Sequence, residues 1–319
     1  MGGPLFSVVI CTHNRAAVLL LSIRSVLDQT FDDFELVVVD DGSTDDTFAV
    51  VGTIDDHRVR YVHRPNGGLS AARNTGARAA RGRILAFLDD DDRFVPHLLA
   101  ELAVAVGSDE RIVVSWGADV VDERGAGVET MRPRDLGAAF AGYQGLFNAG
   151  TFAVSRELYL EVGGFEEDLR TSHQTEFALR LLPVCRSSGT RVATIDEALT
   201  VIVERDPHRR ARNDPDRLLQ ATLLILRRHE RQLALSPHVL SDYLATAGVA
   251  AARGGEYGEA RRLLVKAART ATTSSKRWRN LARAAVTVVP PAARRVWPRD
   301  LGASTRHVEP DRVGSRRSS

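Results

Sequence analysis

Four consecutive carboxylates, Asp89, Asp90, Asp91 and Asp92, follow directly on the short apolar run Ile84–Leu88. That run is too short for a helix and suits a strand buried on both faces. Acids crowded at the end of such a strand repel one another unless water, a basic group or a cation intervenes. Carboxylates two apart on an extended chain point to one side, so Asp89 and Asp91 can face one ion. A hard divalent cation such as Mg2+ or Mn2+ takes oxygen ligands and is commonly completed by substrate phosphates. The same run can equally form a solvated acidic turn before a helix starting near Pro96. A second acidic pair, Asp40-Asp41, ends the apolar run Phe34–Val39, and the polar stretch Thr12-His13-Asn14-Arg15 follows a third run, Phe6–Cys11.

The segments between these runs read as helices: Ala16–Asp28, Asp45–Val51 and Leu69–Ala80, the last followed by Gly82. Val59–His63 reads as a further strand, before the turn signal Asn66-Gly67-Gly68. Strands thus recur every ~25–30 residues with helices between, the beat of a βαβ parallel sheet. Right-handed crossovers set all strand C-terminal ends on one edge, and that edge collects Thr12, His13, Asp40, Asp41 and Asp89 to Asp92. Further on, His97–Val106 reads as a helix, Ile112–Trp116 as a strand, and Val120–Val128 as a hairpin. Thr151–Val154 reads as a strand, Arg156–Val162 and Gln174–Ser187 as helices, and Val192–Val203 as one or two strands. Neither a G-x-G-x-x-G fingerprint nor a Walker A lysine loop is present, which argues against dinucleotide and P-loop enzymes.

The chain of 319 residues is long enough for one large α/β domain and an appendage. A net charge of +2 does not point to nucleic acid. The two cysteines, Cys11 and Cys185, make no disulfide framework, which fits a reducing compartment. The first residues, Met-Gly-Gly-Pro-Leu-Phe-Ser, lack the basic-then-apolar pattern of a signal peptide, and no apolar run reaches the ~20 residues of a membrane span. A cytoplasmic protein is expected.

Five ordered blocks resemble the family 2 glycosyltransferases with the GT-A fold. They are Ser7-Val-Val-Ile-Cys-Thr-His-Asn14, Glu35-Leu-Val-Val-Val-Asp-Asp-Gly-Ser43, Asn66-Gly-Gly-Leu-Ser-Ala-Ala-Arg-Asn74, Phe87-Leu-Asp-Asp-Asp-Asp92 with Pro96, and Gly163-Gly-Phe165. The resemblance covers about the first 200 residues. It implies a Rossmann-like, mostly parallel central sheet with helices on both faces, over residues 1–205. It also implies transfer of a sugar from a nucleotide-diphosphate donor to an acceptor hydroxyl on a polysaccharide, glycolipid or similar molecule, with inversion and with a divalent metal, Mn2+ or Mg2+. Carried over by position, Cys11 and Thr12 line the nucleotide through their backbone, with His13 and Asn14 beside them, and Asp41 accepts from the base. Arg73 sits near the nucleotide or its acids, Asp89 to Asp91 form the D-x-D motif, Asp90 touches the ribose and Asp91 ligates the metal. His13 can also be a plain turn residue.

One block departs from the family. The Glu-Asp pair that supplies the family's base falls on His173-Gln174, counting back from Arg180-Leu181, and glutamine takes no proton at neutral pH. Glu176 or His173 is then expected to serve as base, with Glu176 preferred. The alternative is a nucleotide-sugar-binding or scaffold protein that has lost its base. His208, in the basic stretch Arg205–Arg212, is expected to meet the diphosphate or the metal from a loop after the last strand, or to lie in a solvated basic loop.

Residues 206–297 read as helices without strands, with Leu244–Ala267 resembling a single tetratricopeptide-like hairpin that packs as a helical pair, since one unit makes no solenoid. Lys276–Arg295 mixes basic residues with Trp278 and could lie on an anionic membrane face near a lipid-linked acceptor, although Pro290-Pro291 interrupts it. Residues 298–319 read as a disordered tail.

Overall fold

The computed structural model describes residues 3–148, 150–204 and 214–288. The chain divides into two compact units, residues 1–206 and 207–319.

In the first unit β1 (Phe6–Thr12), α1 (Ala16–Leu27), β2 (Phe34–Asp40), α2 (Thr47–Gly52), β3 (Val59–His63), α3 (Leu69–Ala79) and β4 (Ile84–Asp89) alternate. Every residue of β1 and β2 is buried, as continuous Val/Ile/Leu runs require of central strands covered on both faces. β1 pairs in parallel with β2 on one side and β4 on the other, and β3 joins β2 in parallel. α3 lies close on this sheet because Gly76 has no side chain: a Cβ there would stand 2.3 Å from a methyl of Val9.

The chain continues through β5 (Arg93–Phe94), α4 (Leu98–Val106), β6 (Ile112–Asp122), β7 (Gly127–Met131), the two-residue pair β8 (Arg134–Asp135) and β9 (Gln144–Gly145), and β10 (Phe152–Ser155). It then forms α5 (Arg156–Glu161), α6 (His173–Ser188) and β11 (Arg191–Glu204). The sheet order is β3-β2-β1-β4-β10-β6-β11-β5, with β7 paired to β6. β10 runs antiparallel between β4 and β6, while β6 and β11 are parallel.

Most expected elements stand within a residue or two of their positions. The differences are tertiary in origin. Strand β6 runs on well past Trp116, because β7 and β11 hold its second half from either side. The stretch expected as one or two strands is a single β11 whose register slips between Ile195 and Thr200. Strand β5 exists only because β11 pairs with it.

The second unit holds α7 (Pro215–Leu233), α8 (Pro237–Gly254), α9 (Tyr257–Thr270) and α10 (Ser274–Val286). Asp214 caps α7, its carboxylate accepting from the amides of Asp216 (3.0 Å) and Arg217 (3.1 Å). Gly255, at φ 89°, stops α8 in the left-handed conformation. Gly248 then faces Leu264 closely enough that a Cβ would lie 2.7 Å from its Cγ, which explains the small residues of that helix. None of the described helices is long and apolar enough to cross a membrane. His208 and residues 298–319 lie outside the described residues.

Candidate active site

The parallel strands β1, β2 and β4 end side by side, Thr12 beside Asp40 and Cys11 beside Asp89. This register brings the acidic ends of β2 and β4 and the polar end of β1 to one edge, where open α/β sheets bind ligands.

At the end of β2, Asp40 turns inward, accepting from the Ser43 amide (2.7 Å) and the Tyr61 hydroxyl (2.5 Å). Burial works against its charge, but these hydrogen bonds prevail and hold the carboxyl below its ordinary pKa. Asp41 carries a carboxylate that accepts from the amides of Gly67 (3.0 Å) and Gly68 (2.7 Å) and from Arg64 Nη1. A carboxylate offers about four acceptor positions, so among the described residues these three donors leave room for one more. The Asn66-Gly67-Gly68 turn therefore exists to hold Asp41.

His13 lies over this group with Nδ1 2.9 Å from the Asp41 carbonyl oxygen. Asn14, expected to line the donor, also ties two loops together. It takes up the left-handed conformation (φ 54°), its Oδ1 accepts from the Thr44 amide (2.7 Å), and its own amide donates to Ser43 Oγ (2.9 Å). Cys11 is buried, and that burial pushes its thiol well above the ordinary range, so it offers backbone and shape but no nucleophile.

The end of β4 is different. Asp89 accepts from Arg73 Nη2 at 2.5 Å, and Asp91 from Arg15 Nη2 at 2.5 Å, with Arg15 Nη1 3.4 Å from Asp90. Asp92 turns away and accepts from the Val203 amide (3.0 Å). Two arginines thus face four carboxylates. Burial pushes the Asp90 carboxyl up to about 7, with Arg15 opposing and Asp91 and Asp89 adding to the rise. Burial and the same neighbours also raise Asp92 well above the carboxylate range. Arg73 is 2% exposed, and its Nη1 has no hydrogen-bond partner among the described residues, an orphan donor buried at the floor of the site.

Whether these residues suit a divalent cation can be judged from the donor set. Among the described residues no three His, Cys, Asp or Glu side chains converge as a self-sufficient metal site. A cation shared with phosphates needs only one or two carboxylates, and Asp89 and Asp91 keep 32% and 18% of their side-chain surface exposed. With more acid than the local arginines neutralise, the cluster fits such an ion.

The helix α6 completes the floor. His173 is buried, and burial first and Arg73 second pull its imidazole down to about 3, so it is uncharged at neutral pH. Glu176, the preferred base on sequence grounds, is wholly enclosed. Both of its oxygens accept from Arg180, at 2.8 and 3.0 Å from Nε and 2.6 Å from Nη2. Arg180 also donates to the carbonyls of Val162 (2.7 Å) and Gly164 (2.7 Å). Glu176 is therefore tied through Arg180 to the Gly163-Gly164-Phe165 turn. Gln174 is partly exposed.

Sequence reasoning missed Asn74. Its Oδ1 accepts from the Phe165 amide (2.8 Å) and the Tyr159 hydroxyl (2.6 Å), and its Nδ2 donates to the Phe165 carbonyl (2.9 Å). A Cβ on Gly164 would come within 2.4 Å of that Oδ1. The Ala-Arg-Asn and Gly-Gly-Phe blocks are thus one joint, with Arg73 stacked over the Phe165 ring at 5.4 Å. An exposed-looking asparagine beside the arginine carried no local sign of this, because its partners Tyr159 and Phe165 are 85 and 91 residues away.

Residues 7–163 match the family described as glycosyl transferase family 2. The N-terminal unit is a family 2 glycosyltransferase domain. An uncharacterized glycosyltransferase of Rickettsia bellii is 36% identical over 127 residues, which cover 39% of this chain and 18% of that protein. One from Nostoc sp. is 36% identical over 119 residues, 36% of this chain and 37% of the relative. The chain thus spans well under half the length of either relative. Among solved structures, residues 1–349 of TarS from S. aureus superpose with a TM-score of 0.61 at 17% identity, over 93% of this chain and 92% of that one. The same TarS fragment in complex with UDP-GlcNAc gives 0.60, over 92% and 88%. GalNAc-T7 with UDP, GalNAc and Mn2+ gives 0.51 at 19% identity, over 63% and 44%. These likenesses establish the GT-A fold of the family 2 domain.

Proposed function

We propose that the protein is a metal-dependent, inverting glycosyltransferase that takes a sugar from a nucleotide diphosphate and passes it to an acceptor hydroxyl. The observation that carries this reading is the shared edge: Asp41, with one acceptor position to spare, stands beside a carboxylate cluster short of positive charge. TarS, which shares the fold, is known in complex with UDP-GlcNAc, so a uridine diphosphate sugar is the first donor to test.

In this reading the backbone of Cys11 and Thr12 and the ring of His13 line the nucleotide, and Asp41 takes a base N–H in its remaining position. Asp90 meets the ribose, while Asp89 and Asp91 would hold a Mn2+ or Mg2+ ion together with the diphosphate. That ion, when bound, would offset charge on the leaving group. Arg73 presents its unpartnered Nη1 towards the same anion. The acceptor oxygen attacks the anomeric carbon as the carbon–oxygen bond to the diphosphate breaks, and the acceptor proton must go to a base. Since Glu176 is held by Arg180, the assignment falls to His173. An entering diphosphate adds negative charge nearby and raises the basicity of that imidazole.

A second reading is favoured by Gln174 and the locked Glu176: a domain that binds a nucleotide sugar without transferring it. Two assays separate the readings. Turnover of UDP-sugars with Mn2+ should release UDP in wild-type protein. His173→Asn should lower kcat by about 10²–10⁴-fold while UDP affinity stays within about twofold. Binding of UDP-sugar without release of UDP by the wild type would favour the second reading.

The acceptor is proposed to be a polysaccharide or a glycolipid. Contact with a membrane through the second unit is supported by α10, where the exposed Arg277 and Arg279 flank a Trp278 that is 70% exposed. Co-sedimentation with vesicles containing anionic lipid tests this, and Trp278→Ala should weaken it.

A further inference from the structure

Arg15, at the acidic edge, is charged and keeps 41% of its side chain exposed. It leaves the first turn after β1, reaches across 76 residues of sequence, and lays its guanidinium on Asp91 Oδ2 (2.5 Å) and beside Asp90 Oδ1 (3.4 Å). That is the carboxylate the reading above assigns to the cation, and this inference rests on that reading. A carboxylate oxygen in a charge-assisted hydrogen bond to a guanidinium is electrostatically spoken for, and a dication approaching the same oxygen meets like charge. Arg73 differs: fully buried on Asp89 and stacked on Phe165, it has nowhere to go. Arg15 has solvent on one side and a flexible stem, so it can swing away.

We propose that Arg15 is the resident counter-charge of the acidic cluster, and that pairing of Arg15 with Asp91 and binding of a divalent cation exclude one another. Without a cation, Arg15 keeps the crowded acids from repelling the β4 edge apart. When a cation arrives with its diphosphate, the guanidinium yields Asp91 and is released towards the anion-filled side of the cleft. Arg15 is a positioning residue, and its effect is to make cation binding weak until the donor's phosphates help to bring it in. Free cation then does not load the site on its own.

The test is Mn2+ binding without nucleotide, followed by the paramagnetic resonance of free Mn2+, on the wild type, Arg15→Gln, Arg15→Lys and Asp91→Asn. Arg15→Gln should bind Mn2+ about tenfold or more tightly than wild type, the effect of removing one charge-assisted competitor. Arg15→Lys, which keeps the charge, should stay near wild type. Asp91→Asn should lose the site in either background. Thermal unfolding gives a second readout: in chelator Arg15→Gln should melt below wild type, and Mn2+ should restore it more than it stabilises wild type. Equal Mn2+ affinity in wild type and Arg15→Gln, with binding still lost in Asp91→Asn, would overturn the proposal and leave the cation site standing. Mn2+ binding indifferent to Asp91→Asn would overturn both.

Discussion

Asp41 and the Asp89–Asp92 cluster sit on the same sheet edge, one strand apart from β1 on either side, yet they solve the problem of a buried acid in opposite ways. Asp41 is matched: two amides of a glycine turn and Arg64 donate to its carboxylate. The β4 cluster is unmatched: four carboxylates share Arg15 and Arg73, and burial with mutual repulsion raises Asp90 and Asp92. A matched acid is part of the scaffold and can only recognise. An unmatched cluster stores a demand for positive charge that a ligand can meet. Their difference divides the edge into a reading half and a charge-handling half.

The sharpest way to break that comparison is to make the same change in both halves. Asp91→Asn should lower Mn2+-dependent turnover by about a hundredfold or more, since even groups that only support a metal ligand matter at ~10–100-fold. Its melting temperature in chelator should not fall, because one repelling charge has gone. A drop in stability without metal would mean that this acid is matched after all.

Glu176→Gln probes a third kind of acid, one matched by a buried arginine pair. Breaking its buried pair with Arg180 should lower stability by about 3 kcal/mol, seen as a shift in urea midpoint. Undiminished stability together with lost turnover would return Glu176 to the role of base. Asp41→Asn should lower stability by about 2 kcal/mol, from the weakened hydrogen bonds to Gly67, Gly68 and Arg64. It should also weaken UDP binding equally with and without Mn2+, and a purely metal-linked loss would erase the division between the halves.

The smallest effect is a control at the other end of the sheet. Hydrogen bonds from the Arg58 side chain lead the causes that hold Asp56 down, to about 2 from an ordinary 3.8. A depressed carboxyl stabilises the fold above its unfolded pKa and loses that contribution as pH falls through the folded one. Asp56→Asn should therefore cost about 1 kcal/mol at pH 6 and nothing below about pH 2, measured as urea midpoints across that window.

Much of this was legible in the chain. Apolar runs of strand length are buried in any parallel sheet, so Phe6–Thr12, Phe34–Asp40 and Ile84–Asp89 declared themselves, and their acidic ends followed to one edge. The site's internal wiring was not legible. Asn14 was marked as a donor residue by the family resemblance, and only the approach of the β2 loop shows that it also ties two loops together. Glu176 looked like a base because its chemistry suits one, and only the fold shows it paired with Arg180, which is tied to the Gly-Gly-Phe turn.

What the amino-acid order determined by itself is therefore the set of elements and the kind of chemistry gathered at their ends, since periodicity and residue type act locally. What tertiary structure alone decided is which polar groups meet: Arg15 with Asp91, Arg73 with Asp89, Asn74 with the Phe165 backbone. It also decided that β10 slots antiparallel between β4 and β6. The reason is that a hydrogen bond or ion pair is worth little until both partners are desolvated in place, and it is the packing of the whole sheet that brings such distant partners together.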